Sequence, residues 1–276
     1  MPEFDRYAVM GNPIAHSKSP EIHKYFARQT GQQMSYDAIL VERGKFPDAV
    51  ATFRAHGGKG LNVTVPFKLE AWALAEIRSP RAELAGSVNT FLWQSDGKLF
   101  GDNTDGAGLV RDLIVNHGVQ LAGMSILLLG AGGAARGVLH PLLEQRPLRL
   151  VIANRTPEKA VSLAGEFSDY GPISGGGFKD VAEQRFDLVI NATAASLAGE
   201  VPPISDTTLR AGGCCYDMMY ADEPTAFLGW GKQHGAGLAI DGLGMLVEQA
   251  AESFYLWRGL RPDTLPVIRA LRQSAF

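Results

Sequence analysis

The segment SILLLGAGGAARGVL, Ser125 to Leu139, constrains the fold more than any other part of the chain. It reads as a hydrophobic strand, a tight glycine turn and the start of a helix. Gly130 and Gly132 stand at the first two positions of the dinucleotide fingerprint, and Ala135 stands at the third, where a small side chain lets helix and strand pack closely. The missing side chains let the backbone of Gly130, Ala131, Gly132, Gly133 and Ala134 approach a pyrophosphate, and the helix N-terminus adds free N–H groups and partial positive charge. Pro141 is expected to kink that helix or end it early.

Downstream of Gly118, short apolar runs alternate with helical stretches, which predicts a parallel sheet. Its expected strands are Met124 to Leu129, Leu148 to Ala153, Leu188 to Asn191, Cys214 to Asp217 and Leu238 to Asp241, with a loop around Gly175, Gly176 and Gly177. NAD-binding sequences place an acidic residue at the end of the second strand for the ribose hydroxyl. Here RLVIANRTPEKA puts Asn154 there, followed by Arg155 and Thr156, with Lys159 one turn on. A guanidinium grips a 2′-phosphate that a carboxylate would repel, so the expected cofactor is NADP. An arginine merely solvated in a loop is the competing reading.

At 276 residues the chain is long enough for about two domains. Apolar residues at 46% and charged residues at 20% suit a folded protein, and a net charge of −3 offers no basic field for nucleic acid or an anionic membrane. Adjacent Cys214 and Cys215 support neither a disulfide framework nor a zinc site, and the scattered histidines suggest no metal centre. The opening MPEFDRYAVMGNP has no basic leader ahead of an apolar stretch, and no run could span a bilayer, so a cytoplasmic location is expected.

The N-terminal part reads as an α/β unit. Strands are expected at Tyr7 to Gly11, Ser35 to Val41 and around Leu61 to Val65, and a hairpin joins Ser87 to Trp93 with Leu99 to Gly101. Helices are expected at Pro20 to Thr30, Phe46 to His56, Phe67 to Glu76, Arg81 to Leu84 and Thr104 to His117. The helical stretch LGMLVEQAAESFYLWRGL is expected to return and pack on this unit. In GKGLNVTVPFKLEA, Lys68 falls at a strand-to-helix junction whose helix end already carries positive partial charge. An anionic or developing-anionic partner would explain it.

GNPIAHSKSP, NVTVPFK, AGSVNT, GDNTDG, GAGGAA, NRT, YDMMY and GLGMLVEQA, in that order, resemble the shikimate dehydrogenase family over nearly the whole chain. The resemblance implies a substrate-binding domain, 1–104, completed by C-terminal helices, 243–276, and a Rossmann-like NADP-binding domain, 105–242. It implies reversible reduction of 3-dehydroshikimate to shikimate by a monomer or homodimer. Ser17 and Ser19 resemble the hydroxyls that bind the substrate carboxylate, helped by Tyr220. Thr64, Lys68, Asn89, Asp105 and Gln249 resemble the groups around the ring hydroxyls, and Met218 and Gly242 resemble further cofactor positions. Two departures stand out: Ala194, Ala195 and Ser196 follow INAT where the family has small hydroxyl residues and a glycine, and Lys159 replaces a frequent arginine.

Reducing a ketone requires a hydride on carbon and a proton on oxygen. Lys68 as an ammonium can stabilise the developing charge and donate that proton, with Asp105 orienting it. The serines also suit a helix cap before Pro20, and Asp105 suits a cap or turn. A quinate/shikimate dehydrogenase of relaxed cofactor choice and a catalytically silent NADP-binding sensor are the competing functions. Hinges for domain closure are expected at Asn103 to Gly106 and at Gly242 to Gly244.

Overall fold

The structure, a computed structural model, describes residues 4–273. Residues 1–3 and 274–276 of the expected domain ranges, and the first three positions of the stretch read for a leader, lie outside them. By its contacts the chain divides into two compact units, Met1–Gly108 with Val247–Leu271, and Leu109–Leu246 with Arg272–Phe276. The changeovers fall inside helices, about four residues beyond the boundaries expected from the sequence.

The first unit contains β1 (Asp5–Gly11), α1 (Ser19–Thr30), β2 (Met34–Leu40), α2 (Phe46–Ala55), β3 (Gly58–Val63), α3 (Lys68–Leu74), β4 (Ile77–Arg78), α4 (Pro80–Ala85), β5 (Thr90–Trp93) and β6 (Leu99–Asp102). Its sheet has the order β2-β1-β3-β5-β6-β4, parallel from β2 to β3 and antiparallel through the β5–β6 hairpin. Strand β4 was not apparent from the sequence: two residues carry no alternation, and only pairing with β6 defines them. Phe46 stacks on Phe67 and both join Leu61, Val63 and Phe91 in the core. This register brings the ends of β1, β3 and β6 and the start of β5 to one end of the sheet, since Asn62 pairs with Thr90 and Thr90 with Asp102.

The second unit follows α5 (Asp105–Arg111), which widens into a π turn at Asp112–Asn116 where an uninterrupted helix was expected. There the buried Asp112 carboxylate accepts from Tyr216 Oη at 2.8 Å and Asn116 Nδ2 at 2.8 Å. Next come β7 (Ser125–Leu129), α6 (Gly133–Glu144), β8 (Arg149–Ala153), α7 (Pro157–Glu166), β9 (Ile173–Gly176), β10 (Phe186–Asn191), β11 (Leu209–Asp217), α8 (Ala226–Gln233) and β12 (Leu238–Ile240). The sheet order β12-β11-β10-β7-β8-β9 is wholly parallel, the doubly wound arrangement in which the order reverses between β7 and β10.

One expectation fails here, and of the two outcomes expected at Pro141 the early helix end does not occur. Gly175 and Gly176 lie in a strand, because a Cβ on Gly175 would stand 2.1 Å from the Ala160 carbonyl oxygen of α7; glycine is what lets helix and strand meet. Pro141 does not end its helix, which runs on to Glu144 with Pro141 buried in the core. So close to the C-terminus, the ring removes one helical hydrogen bond while its burial is kept.

Two helices close the chain, α9 (Leu243–Arg258) and α10 (Leu265–Gln273). As expected, α9 returns to the first unit: Trp257 Nε1 donates to the Phe91 carbonyl at 2.9 Å and Ser253 meets Asn62 at 2.9 Å. Beside them His23 is fully buried, stacked on Tyr36 with centroids 4.1 Å apart, and neither ring nitrogen has a hydrogen-bond partner among the described residues. Burial pushes its pKa down to about 3.

In the unfolded chain the same imidazole titrates near its ordinary value of about 6.5, so the unfolded state takes up the proton first as pH falls. The stabilising contribution of neutral His23 is therefore complete above about pH 6.5 and is lost progressively toward pH 3. Denaturant titrations between pH 7 and pH 4.5 should show the parent losing stability faster than His23→Phe, by up to about 1.4 kcal/mol per pH unit. Parallel curves would show that His23 is not the titrating group.

Candidate active site

Lys68 opens α3 directly after the β3 end, and Asp105 opens α5 after β6. Lys68 Nζ donates to Asp105 Oδ2 at 2.5 Å, and Asn89 Nδ2 donates to Asp105 Oδ1 at 2.8 Å. The lysine and aspartate side chains keep 29% and 20% of their exposure, enough for a small molecule to reach groups otherwise set in protein. Asp105 N–H is held by Asn103 Oδ1 at 3.1 Å, and Gln249 Oε1, from α9, lies 3.4 Å from Asn89 Nδ2. One ammonium, one carboxylate, one carboxamide and one amide acceptor thus converge from four segments. Such a set can hold hydroxyl groups and move a proton.

Thr64 lies between the β3 end and Lys68, its N–H bonded to Met10 O at 3.0 Å on neighbouring β1. Ser17 and Ser19 sit on the segment that leaves β1, at the same end of the sheet. Neither caps α1, contrary to the alternative role: Lys18 is the N-cap residue, and the Ser17 hydroxyl accepts from the Ser19 N–H at 3.3 Å. Ser19 is itself within the first helical turn, buried, with its hydroxyl beside that of Tyr36. A larger groove of about 860 Å³ runs between α1 and β2, past Lys24, Arg28 and Tyr36, and none of the cluster residues lines it.

In the second unit, Gly130 has φ +105°, a backbone conformation open to glycine and costly for other residues. No atom lies within 4 Å of where a Cβ would stand on Gly132 or Gly133, and both glycines and Ala134 are exposed at the α6 N-terminus. An uncovered helix N-terminus following the first strand at the order reversal is a cradle of the right chemistry for a pyrophosphate. Arg155 and Lys159 are exposed, and neither side chain makes an ion pair or hydrogen bond among the described residues. Asn154 instead serves its own loop, donating to the Thr156 carbonyl at 2.9 Å. These residues fit a dinucleotide with a phosphorylated ribose.

Met218 and Gly242 come together after β11 and β12. A Cβ on Gly242 would lie 2.3 Å from the Met218 carbonyl oxygen, and one on Gly244 would lie 2.0 Å from Asp112 Oδ1. Neither glycine has positive φ, and each is required by the close approach of its neighbour. Tyr220 is half-buried, and burial raises its hydroxyl pKa, which keeps it a neutral donor. Cys214 and Cys215 are buried with pKa values pushed up to about 12, so neither is a nucleophile.

No group of residues suited to a metal ion occurs among the described residues, and no helix of theirs is long and apolar enough to cross a membrane. Comparison with known proteins agrees with the geometry. The shikimate dehydrogenase substrate binding domain matches residues 9–91, the shikimate / quinate 5-dehydrogenase model residues 113–198, and the shikimate 5′-dehydrogenase C-terminal domain residues 242–272. A shikimate dehydrogenase (NADP(+)) of Alkalilimnicola ehrlichii is 59% identical over 268 residues, 97% of this chain and 98% of that protein. An Ael1 enzyme from Pseudomonas putida superimposes with a TM-score of 0.90 at 46% identity, covering 97% of this chain and 98% of that one. A shikimate 5-dehydrogenase from Thermus thermophilus, in complex with NADP(H) and shikimate, gives 0.86 at 34% identity over 99% of this chain and 100% of that one.

Sequence reasoning missed the groups that hold the loops around the nucleotide cradle. The buried Asp217 carboxylate accepts from Ser196 Oγ at 2.6 Å, Thr225 Oγ1 at 2.7 Å and Asn191 Nδ2 at 3.2 Å. Ser196, noted only as a departure, thereby ties the segment after β10 to the segment after β11. The signal available was a run of small polar residues at strand ends, which by itself does not say which pairs meet. Ser196→Ala leaves a buried carboxylate one donor short and should destabilise the second unit by about 1–3 kcal/mol. Urea unfolding followed in the far ultraviolet measures the loss, and an unchanged midpoint would show that the tie carries no energy.

Proposed function

The chain belongs to the shikimate dehydrogenase family and catalyses the reversible NADPH-dependent reduction of 3-dehydroshikimate to shikimate; we propose that Lys68 and Asp105 are the pair that moves the proton. The observation that carries the assignment is the Lys68 Nζ to Asp105 Oδ2 contact of 2.5 Å, with the other carboxylate oxygen already taken by Asn89. Both oxygens of Asp105 are thus engaged, and the carboxylate acts as a fixed rest for the ammonium and the amide.

NADPH, when bound, supplies the hydride for the carbonyl carbon. As negative charge gathers on the carbonyl oxygen, the Lys68 ammonium stabilises it and gives up one proton, leaving a neutral amine and a hydroxyl. In shikimate oxidation the neutral amine takes the hydroxyl proton. Asp105 keeps the amine near one position in both directions, and Thr64 and Gln249 hold the neighbouring ring hydroxyls; Asn89, expected beside them, has its amide taken up by Asp105, Thr104 and Thr90 and acts through Asp105. Ser17 and Ser19 are uncharged donors suited to the substrate carboxylate, and Tyr220, on the second unit, is likewise a neutral donor.

Gly130, Ala131, Gly132, Gly133 and Ala134 would hold the pyrophosphate through backbone N–H groups. Arg155, with Asn154, Thr156 and Lys159 around it, would hold the 2′-phosphate, and Met218 and Gly242 would border the rest of the cofactor. Arg155 offers a planar two-point grip, whereas Lys159 offers a point charge, so selectivity rests mainly on the arginine.

Lys68→Ala should lower kcat for shikimate oxidation by about 10²- to 10⁴-fold, followed by NADPH formation. Turnover within a few-fold of the parent would remove Lys68 from proton transfer. Arg155→Ala should weaken NADPH by about tenfold or more while changing NADH little, as expected for loss of a charge-assisted pair. Equal losses in parallel titrations would show that the arginine does not read the phosphate. Rates with quinate beside shikimate, and with NAD beside NADP, measure how strict the two choices are.

A further inference from the structure

We propose that Thr90 and Asn62 are positioning residues of this reaction, holding the Asn89 amide in the one orientation that turns its N–H toward Asp105. The inference rests on the reading of Lys68 and Asp105 as the reacting pair, and it adds residues that would touch neither substrate nor cofactor.

The orientation follows from counting protons. Thr104 N–H donates to Asn89 Oδ1 at 2.9 Å. A backbone N–H cannot accept, so this contact decides which end of the amide is oxygen. Asn89 Nδ2 then faces Asp105 Oδ1 at 2.8 Å and Thr104 Oγ1 at 2.9 Å. Turned over, the amide would set its oxygen against a carboxylate and its nitrogen against an N–H, two repulsive contacts in place of two bonds.

Thr90 supplies the second clamp. Its hydroxyl lies 2.9 Å from Asn89 Oδ1 and 2.8 Å from Ser253 Oγ, and it has one proton to give. Asn62 Nδ2 reaches Ser253 Oγ at 2.9 Å, Thr90 Oγ1 at 3.0 Å and the Asn89 carbonyl oxygen at 3.2 Å, so its two protons serve the two hydroxyls at the shorter distances. Ser253 can give its one proton to Thr90 Oγ1 at 2.8 Å or to the Gln249 carbonyl at 3.1 Å; given to Thr90 across the shorter contact, it leaves the Thr90 proton for Asn89 Oδ1. Asn62 itself cannot turn over, because its Nδ2 also faces the Asn89 carbonyl oxygen at 3.2 Å, which cannot donate, while Tyr36 Oη donates to its Oδ1 at 2.7 Å. From Tyr36 through Asn62 and Thr90 to Asn89, every donor therefore points toward Asp105.

Burial gives the arrangement its force. Asn62, Asn89, Thr90, Thr104 and Ser253 are all buried, so no water replaces a missing partner at low cost. Were Thr90 unable to donate, the amide of Asn89 would be held at its oxygen by Thr104 alone and its N–H would wander from Asp105.

The test is a double-mutant cycle on kcat/KM for shikimate oxidation with NADP, run on full-length protein checked by circular dichroism. Thr90→Val keeps the shape and removes the donor. It should lower kcat/KM about tenfold, the worth of one buried hydrogen bond. In an Asn89→Ala background the same change should cost less than about twofold, because its effect passes through Asn89. Thr90→Ser should keep parental activity. A loss under about threefold in the parent, the same factor in both backgrounds, or an impaired Thr90→Ser would each overturn the proposal. Thr90→Ala takes the place of Thr90→Val should the valine variant not fold. Lys68→Ala is measured alongside: near-parental turnover there defeats the underlying assignment, whereas an inactive Lys68→Ala with an active Thr90→Val defeats the positioning role alone.

Discussion

The amide of Asn89 lies between a backbone donor and a carboxylate, and that placement organises the first unit's chemistry. Thr104 N–H at 2.9 Å fixes the oxygen, and Asp105 Oδ1 at 2.8 Å receives the nitrogen. Once Asp105 has one oxygen engaged, its other oxygen meets the Lys68 ammonium, which leaves that ammonium facing outward with protons to spare. The sheet register follows the same demand. Asn89 can occupy this place because β5 pairs with β3 on one side and β6 on the other, setting Asn62, Thr90 and Asp102 side by side.

Asp102 shows how much polar burial the arrangement sustains. Its carboxylate is nearly inaccessible and accepts from Ser79 Oγ at 2.5 Å, Arg81 Nε at 2.7 Å and the Asn103 N–H at 2.8 Å. A buried carboxylate is tolerable only when so fully paired. Paired in this way, Asp102 anchors the end of β6 three residues before Asp105, whose own N–H is held by Asn103 Oδ1 at 3.1 Å. The second unit uses the same device at Asp217, with uncharged donors where Asp102 has an arginine.

Much of this was legible in the linear order of residues. Strand and helix positions in the second unit followed from apolar runs and punctuation, and the glycine turn after β7 announced a parallel sheet with an anion cradle. Arg155 after β8, where an acidic residue would suit NAD, pointed to NADP, the cofactor of the family. Failures came where local composition opposed packing. GGG near Gly175 suggests a loop, yet its emptiness is what admits the α7 backbone. Pro141 suggests a break, yet one lost hydrogen bond near a helix end is a small matter beside a buried ring. Gly242 and Gly244 lie where Met218 and Asp112 come closer than a side chain would permit, contacts that the local sequence does not announce.

By itself, the order of residues determined the class of fold and the cofactor, because periodicity, turn chemistry and motif spacing act over a few residues and survive without neighbours; Lys68 and Asp105 were named together only through the family resemblance of their motifs. Only the tertiary structure decided which polar groups meet. Asn62 and Ser253 are 191 residues apart in the chain and 2.9 Å apart in space, and nothing local to either residue names the other. The physical reason is satisfaction of buried donors and acceptors: each such group must find a partner, but the partner is chosen by the packing that brings the segments together.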